Sequence, residues 1–378
     1  MRIGLYIPVL DDRPAGVGVY VEELCSRLAR AHPDVVVYVG VPADRPWLQG
    51  MTVRTIGPRL LPPGVGDSAR RRARRLRWLA SFAARDLVRD GVDVFFSPVQ
   101  EGLLIGTVPG CLVLHDLTAL KHPYAYDPLT VWQTRRVLPW MLRRAARVIA
   151  VSQNTRRDVL ETFSLDPAKV EVVGEGYDAS VFYPRGEDAI RVVREAQGLP
   201  ARYLLYAGTF SRHKNLAVLV RALAELPDDV VLALVGRKDA GAFAEFEAEV
   251  GRLGLTSRVA VLGYVSRDDL ATLMAGASAF VYPSRYEGFG LAPLEAMACG
   301  APVVASNVAS LPEVVGEGGV LVDGEAPGAW AEAISRVLAA DRAEVQTRAV
   351  RSAARFQWDD AAAKILAILT QIHGARHE

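Results

Sequence analysis

Three cysteines in 378 residues, Cys25, Cys111 and Cys299, stand far apart inside apolar runs. An odd number at such spacing offers neither a disulfide framework nor a zinc-ligand pattern, and it fits a reducing, cytosolic compartment. No uninterrupted apolar run approaches the roughly 20 residues of a membrane-spanning helix, so any membrane contact is expected to be peripheral. The opening MRIGLYIPVLDDR moves from a strand-like run into charge and does not read as a signal peptide. Charge is nearly balanced at +1, which removes any overall pull towards nucleic acid. The chain has no Asp-x-Asp pair and no His/Cys/carboxylate cluster at metal spacing. No metal cofactor is therefore expected, and a bound phosphate would have to be neutralised by cations and backbone amides.

What is present is an alternation of apolar runs with helical periods, the pattern of parallel α/β units. In the first half, RIGLYI, VVVYVG, DVFF, CLVLHD and RVIAVS read as strands. The second half restarts with YLLYAGT, VVLALVG, VAVLG, AFVYP and PVVAS, and closes on helices. Between the halves, EVVGEGYDASVFYPRGED breaks the rhythm with glycine, proline and mixed charge, placing a boundary at residues 183–187. The expected organisation is two Rossmann-like doubly wound domains, 1–185 and 186–356, with a terminal helix at 357–378 returning to the first. Residues 1–185 carry a net charge of +6 and the remainder −5, so an anionic partner would prefer the first half. Open parallel sheets bind ligands beyond the carboxyl ends of their strands. The residues just after each strand are the candidates, and two sheets in series make the space between them the natural site.

In VYPSRYEGFGLAPLEAMACG, Glu287 falls in the loop after a strand and Glu295 in the first turn of the following helix, with Gly290 allowing a tight entry. Backbone N–H groups there form a ready anion site. The plainer reading makes Glu295 a dipole-favoured acid and Glu287 a loop charge. In YAGTFSRHKNL, Gly208 ends a strand, and Arg212 and Lys214 crowd a helix entrance. Cations oppose the dipole at that position, which suggests a bound polyanion. Gly16 and Gly18 allow close backbone approach after the first strand, but the second strand ends at Gly40 rather than an acid, which argues against a nicotinamide cofactor. His115, in LVLHDLTAL, stands at a strand end, where it could orient or deprotonate a substrate. Residues 69–80 hold six arginines with Leu76, Trp78 and Leu79. Such a segment reads either as a helix lying on an anionic membrane or as a solvated helix face.

Taken together, EGFGLAPLE, GTFSRHKN, HDLTALKHP, AVSQNTRRDVL, VEVVGEGYDASVF and PVVASNVASLPEVVGEGGVLVD resemble the retaining glycosyltransferases of family 4, which have the GT-B fold. The resemblance runs from the first strand to the last helix. It departs from the family pattern at Thr209, where many members have arginine, at His213, and at Glu175-Gly176, where Asn-Gly is frequent. The resemblance implies a nucleotide-sugar domain in the second half and an acceptor domain in the first. It assigns Glu287 and His115 to the transferred sugar, Glu295 to the ribose, and Lys214 with Arg212 to the diphosphate. The amides of Phe289, Gly290 and Leu291 would contact phosphate and sugar, and Arg237 and Tyr264 would fall near the base. The implied reaction is metal-independent hexose transfer from a GDP- or UDP-linked sugar, with mannose favoured, to a glycan or lipid-linked acceptor at the inner face of the cell membrane. A sugar-nucleotide epimerase, a phosphorylase and a non-catalytic sugar-nucleotide binder stay open as alternatives.

Overall fold

The computed structural model describes residues 1–8, 16–40, 45–56 and 75–375. It divides the chain into two compact units, Met1–Glu175 with Trp358–Glu378, and Gly176–Gln357. Each unit is built on one wholly parallel, doubly wound sheet, the fold class the alternation predicts.

The first sheet contains β1 (Ile3–Ile7), β2 (Val35–Val39), β3 (Thr52–Thr55), β4 (Val94–Ser97), β5 (Gly110–Leu114), β6 (Arg147–Ala150) and β7 (Val170–Val172). Their order is β3-β2-β1-β4-β5-β6-β7. The second contains β8 (Tyr203–Ala207), β9 (Val231–Val235), β10 (Val259–Gly263), β11 (Ala279–Tyr282), β12 (Val303–Ser306) and β13 (Gly319–Val322), in the order β10-β9-β8-β11-β12-β13. The central strands are mostly apolar because helices cover both faces; β1, β2, β4, β8, β11 and β12 are buried along their whole length, β4 and β12 ending in the buried serines Ser97 and Ser306. Each such Val, Leu or Ile contributes roughly 1.5–3 kcal/mol. The strand order reverses between β1 and β4 in one sheet and between β8 and β11 in the other, and a ligand site is expected beyond each switch point.

The first crossing between units falls at Glu175/Gly176, ahead of the expected 183–187. The cause is packing: Phe182 is buried under the Arg267 guanidinium, and Arg185 binds Asp268 at 2.6 Å, so residues 176–186 belong to the second unit. The helix Trp358–Gly374 is counted with the first unit, where Trp358 meets Tyr20 edge-on at 5.5 Å and Asp359 accepts from Arg27 at 2.8 Å.

The arginine-rich segment takes a different course from the membrane reading. Residues 69–74 lie outside the described residues. Trp78 and Leu79 are buried in the first unit's core and Leu76 packs against it, so the apolar side offered to lipid is already used. Arg75 is buried as well, gripping both carboxylate oxygens of Glu101 at 3.0 Å, while Tyr6 Oη donates to Oε2 at 2.7 Å. Burial, with Glu101 alongside, pushes the Tyr6 phenol well above its ordinary range, so it stays a donor.

Because this network lies in low dielectric, Glu101→Ala is expected to cost about 3–5 kcal/mol in urea unfolding by leaving the Arg75 charge without its carboxylate. The exposed Arg191–Asp188 pair serves as control: Asp188→Ala should leave the midpoint unchanged. Equal effects of the two substitutions would refute the structural role given to Glu101.

Candidate functional site

In the second unit, the two loops that flank the switch point carry the candidate chemistry. The loop after β8 begins at Gly208 (φ +155°), whose carbonyl lies so near Gly236 that a Cβ there would overlap it at 1.9 Å. A single 3₁₀ turn, Arg212–Lys214, follows, and Asn215 in the left-handed region (φ +54°) opens the helix Leu216–Leu223. The turn therefore directs Lys214 inward, leaving it 9% exposed.

The loop after β11 holds Glu287 and ends at Gly290, whose φ of +117° caps the helix Leu291–Ala298. An added Cβ would both strain that backbone and meet Leu311 at 2.9 Å. Ser310 Oγ bonds the carbonyls of Phe289 at 2.6 Å and Glu287 at 3.0 Å, pinning the loop. Arg285 N–H donates to the His213 carbonyl at 2.8 Å and so ties the two loops together.

At their meeting point Lys214 Nζ donates to Glu287 Oε1, and to Tyr282 Oη at 3.2 Å. The two charged side chains are only 11% and 14% exposed. Burial pushes the Glu287 carboxyl upward, but the Lys214 charge and hydrogen bond, the Ser284 hydroxyl and the His213 charge outweigh it and hold the group below its ordinary 4.5. Burial raises the Tyr282 phenol well above 10, with Glu287 adding to it, so Tyr282 remains neutral. The result is a buried cation–carboxylate pair beside the start of a helix, whose first N–H groups lack intrahelical acceptors. Such an arrangement can accept a phosphate at the ammonium and amides, and hydroxyl groups at the carboxylate.

The remaining candidates divide. Glu295 is buried at 9% in the same helix, but five residues into it rather than in the first turn, because the helix starts at Leu291 and not earlier. Phe289 is buried edge-on against Phe356, and Leu291 is half-buried. Arg212 does not join Lys214: on the 3₁₀ turn it points outward, half-exposed, and forms a forked pair with Glu245 at 2.6 and 3.1 Å. Arg237 after β9 is exposed, as is Tyr264 after β10 at 66%.

In the first unit, exposed Gly16 (φ +51°) caps the helix Val17–Ala31, and Gly18 lies in its first turn. His115 is 5% exposed at the end of β5, with Tyr20 edge-on at 4.7 Å. Its Nε2 donates to the Pro98 carbonyl at 2.8 Å, and its Nδ1 faces Glu175 Oε1 at 3.6 Å. Among the described residues, no group of three or more His, Cys, Asp or Glu is placed to hold a metal ion.

Sequence reasoning passed over Tyr282, Ser284, Arg285 and Ser310. The first three lie in YPSRYEGFG and the last in NVASLPEVV, runs singled out for other residues. Tyr282 acts through a side chain 68 positions away, and the others through carbonyl positions that no side-chain pattern encodes.

Comparison with known proteins gives a consistent result. The family described as Glycosyltransferase Family 4 matches residues 14–181, and Glycosyl transferases group 1 matches residues 192–356. The D-inositol 3-phosphate glycosyltransferase of Mycolicibacterium vanbaalenii is 38% identical over 252 residues, covering 62% of this chain and 55% of that protein. Its namesake in Mycobacterium tuberculosis strain H37Ra is 35% identical over 277 residues, covering 69% and 56%. The match therefore spans little more than half the length of these curated relatives. Among solved structures, sucrose-phosphate synthase of Thermosynechococcus elongatus superposes with a TM-score of 0.79 at 25% identity, covering 99% of this chain and 100% of that one. HepE of Anabaena, in complex with UDP and glucose, gives 0.75 at 24% identity, covering 98% and 99%.

The lowered pKa of Glu287 has a signed consequence. A carboxylate depressed by folding contributes stability above 4.5 and loses that contribution as pH falls through its lower folded value. The stability difference between the wild type and Glu287→Gln should stay flat from about pH 7 to about 4.5 and shrink below that, read by urea unfolding at each pH. Shrinkage already complete at about pH 5 would assign the titration to another group.

Proposed function

The chain belongs to the group 1, family 4 glycosyltransferases, and from that membership we propose that it transfers a hexose from a nucleotide sugar to a hydroxyl of a glycan or lipid-linked acceptor, with retention and without metal. The observation that carries this reading is the buried Lys214–Glu287 pair beside the helix start at Gly290, assembled from the two loops that flank the second sheet's switch point.

Breaking a glycosyl phosphate bond develops negative charge on the diphosphate and positive charge at the anomeric carbon. Lys214 and the amides at Phe289, Gly290 and Leu291 supply fixed positive potential for the first, and one such donor is worth on the order of 3 kcal/mol. Glu287 accepts from hydroxyls of the donor sugar. Glu295, one turn further along, accepts from the ribose, and Gly208, Arg237 and Tyr264 follow strands of the same sheet towards the base. Retention is achieved by front-face attack: the acceptor oxygen bonds the anomeric carbon as the carbon–oxygen bond to phosphate breaks, and the acceptor's proton passes to the leaving phosphate. The first unit takes the acceptor. The phosphate loop and HDLTAL resemble those of mannosyl-, rhamnosyl- and glucosyltransferases, and of these donors our reading takes GDP-mannose, whereas the Anabaena neighbour holds UDP and glucose.

Two measurements test this reading. Glu287→Ala is expected to lower turnover by at least about a hundredfold while retaining nucleotide binding, and Glu295→Ala to weaken nucleotide binding, by analogy with the loss of one preorganised contact. Full activity in both variants would sink the assignment. Thermal shifts across UDP, GDP, ADP and dTDP identify the base, since a ligand of the native state raises the midpoint with its affinity; no shift with any of them would reject a nucleotide site.

A further inference from the structure

Between β5 and β6 of the first unit, the helices Pro128–Arg136 and Leu138–Arg144 follow one another with only Val137 between them. Val137 is itself helical and continues the bonding, donating to Gln133 at 2.8 Å and accepting from Met141 at 3.4 Å. At about 100° per residue, Leu129, Trp132, Arg135, Arg136, Trp140 and Arg143 share one arc of roughly 140°. Thr134, Leu138 and Met141 point the opposite way and are buried.

The outward arc is unusual in composition. Trp132 is 54% exposed and Trp140 68%, with Leu129 at 41%. A lone exposed apolar residue needs no explanation, but two indoles and a leucine on one face do. Arg135, Arg136 and Arg143 are exposed beside them and make no ion pair among the described residues. The one acid on these helices' termini, Asp127, is spent on capping the Thr130 N–H at 3.0 Å.

We propose that this face docks on an anionic lipid surface. Indoles combine a large apolar body with one polar N–H and settle at the lipid–water boundary, while guanidinium groups pair with phosphate headgroups just above it. A second copy of the chain fits less well, since a two-fold contact would set the three arginines against their own counterparts. The inference rests on the first unit alone and does not use the transferase reading; vesicle binding needs no sugar nucleotide, so failure here leaves that reading standing.

The test is co-sedimentation of the full chain with vesicles of phosphatidylcholine alone, or with about one third phosphatidylglycerol. Binding is expected only with the anionic lipid, and should fall as salt is raised. Arg135→Ala/Arg136→Ala/Arg143→Ala should weaken partitioning on the order of a hundredfold, and Trp132→Ala/Trp140→Ala by at least about tenfold. Quenching of the wild-type tryptophan fluorescence by brominated lipid supplies a reading that does not depend on how the variants fold. Absence of binding to anionic vesicles, or binding that both variants retain, overturns the proposal. So does a dimer in sedimentation velocity that the tryptophan variant abolishes, or binding to RNA without quenching by brominated lipid.

Discussion

Lys214 and Glu287 come from loops 73 positions apart in sequence, yet they meet as a buried ion pair, and the local architecture of the second unit is arranged to make that possible. Taking both charges out of water costs several kcal/mol per ion, which their attraction offsets only when geometry and extra hydrogen bonds are good. Those extra bonds are all present. Tyr282 takes part of the ammonium's donor capacity, Ser284 supports the carboxylate, and Ser310 fixes the backbone beneath it. The Arg285–His213 backbone bond then makes each loop the other's template. Neither loop's conformation is independent of the other, and both begin where the strand order reverses.

The first unit shows the same fold put to a different use. At its own switch point Tyr6 comes from β1 and Glu101 lies shortly after β4, and the carboxylate is filled by Tyr6 and Arg75. Tyr6 and Arg75 between them occupy both oxygens of that buried carboxylate, as a network that holds structure would. In the second unit the cation beside the carboxylate lies next to the N-terminus of a helix, where further acceptors can be received. Equivalent topology thus carries a closed network in one sheet and an extendable one in the other, and the side chains around each switch point distinguish them.

This division also explains what could be read from sequence. Central strands such as Leu-Leu-Tyr-Ala and Phe-Val-Tyr are buried on both faces and announce themselves as apolar runs. The three strands that pattern reading passed over, β3, β7 and β13, are all at sheet edges; β3 is Thr-Val-Arg-Thr with every residue exposed. β3 offers no apolar run to read, and β7 and β13 are short, at three and four residues, whereas β10, also at an edge, is legible as VAVLG. Lys214, Glu287 and Gly290 were legible because their residue types contradict their surroundings: charge in a buried run, and a cation at a helix start. Arg212 met the same criterion, but a 3₁₀ turn sends its side chains in different directions, and the two-residue step from Lys214 to Arg212 decides between the interior and Glu245. Nor could six arginines reveal that the tryptophan among them belongs to the core.

On the proposed reading, the ion pair makes recognition of phosphate and of sugar interdependent. A diphosphate arriving at Lys214 competes with Glu287 for the same ammonium. If it prevails, the carboxylate is left in low dielectric with fewer donors, and an unsatisfied buried charge is far costlier than an exchanged one. Sugar hydroxyls attached to that diphosphate are the groups positioned to restore the lost bonds. A nucleoside diphosphate alone leaves the exchange incomplete, and a free sugar leaves the cation with its original partner. Selectivity for the intact nucleotide sugar then follows from charge conservation within one buried pair, without a separate device for each half of the donor.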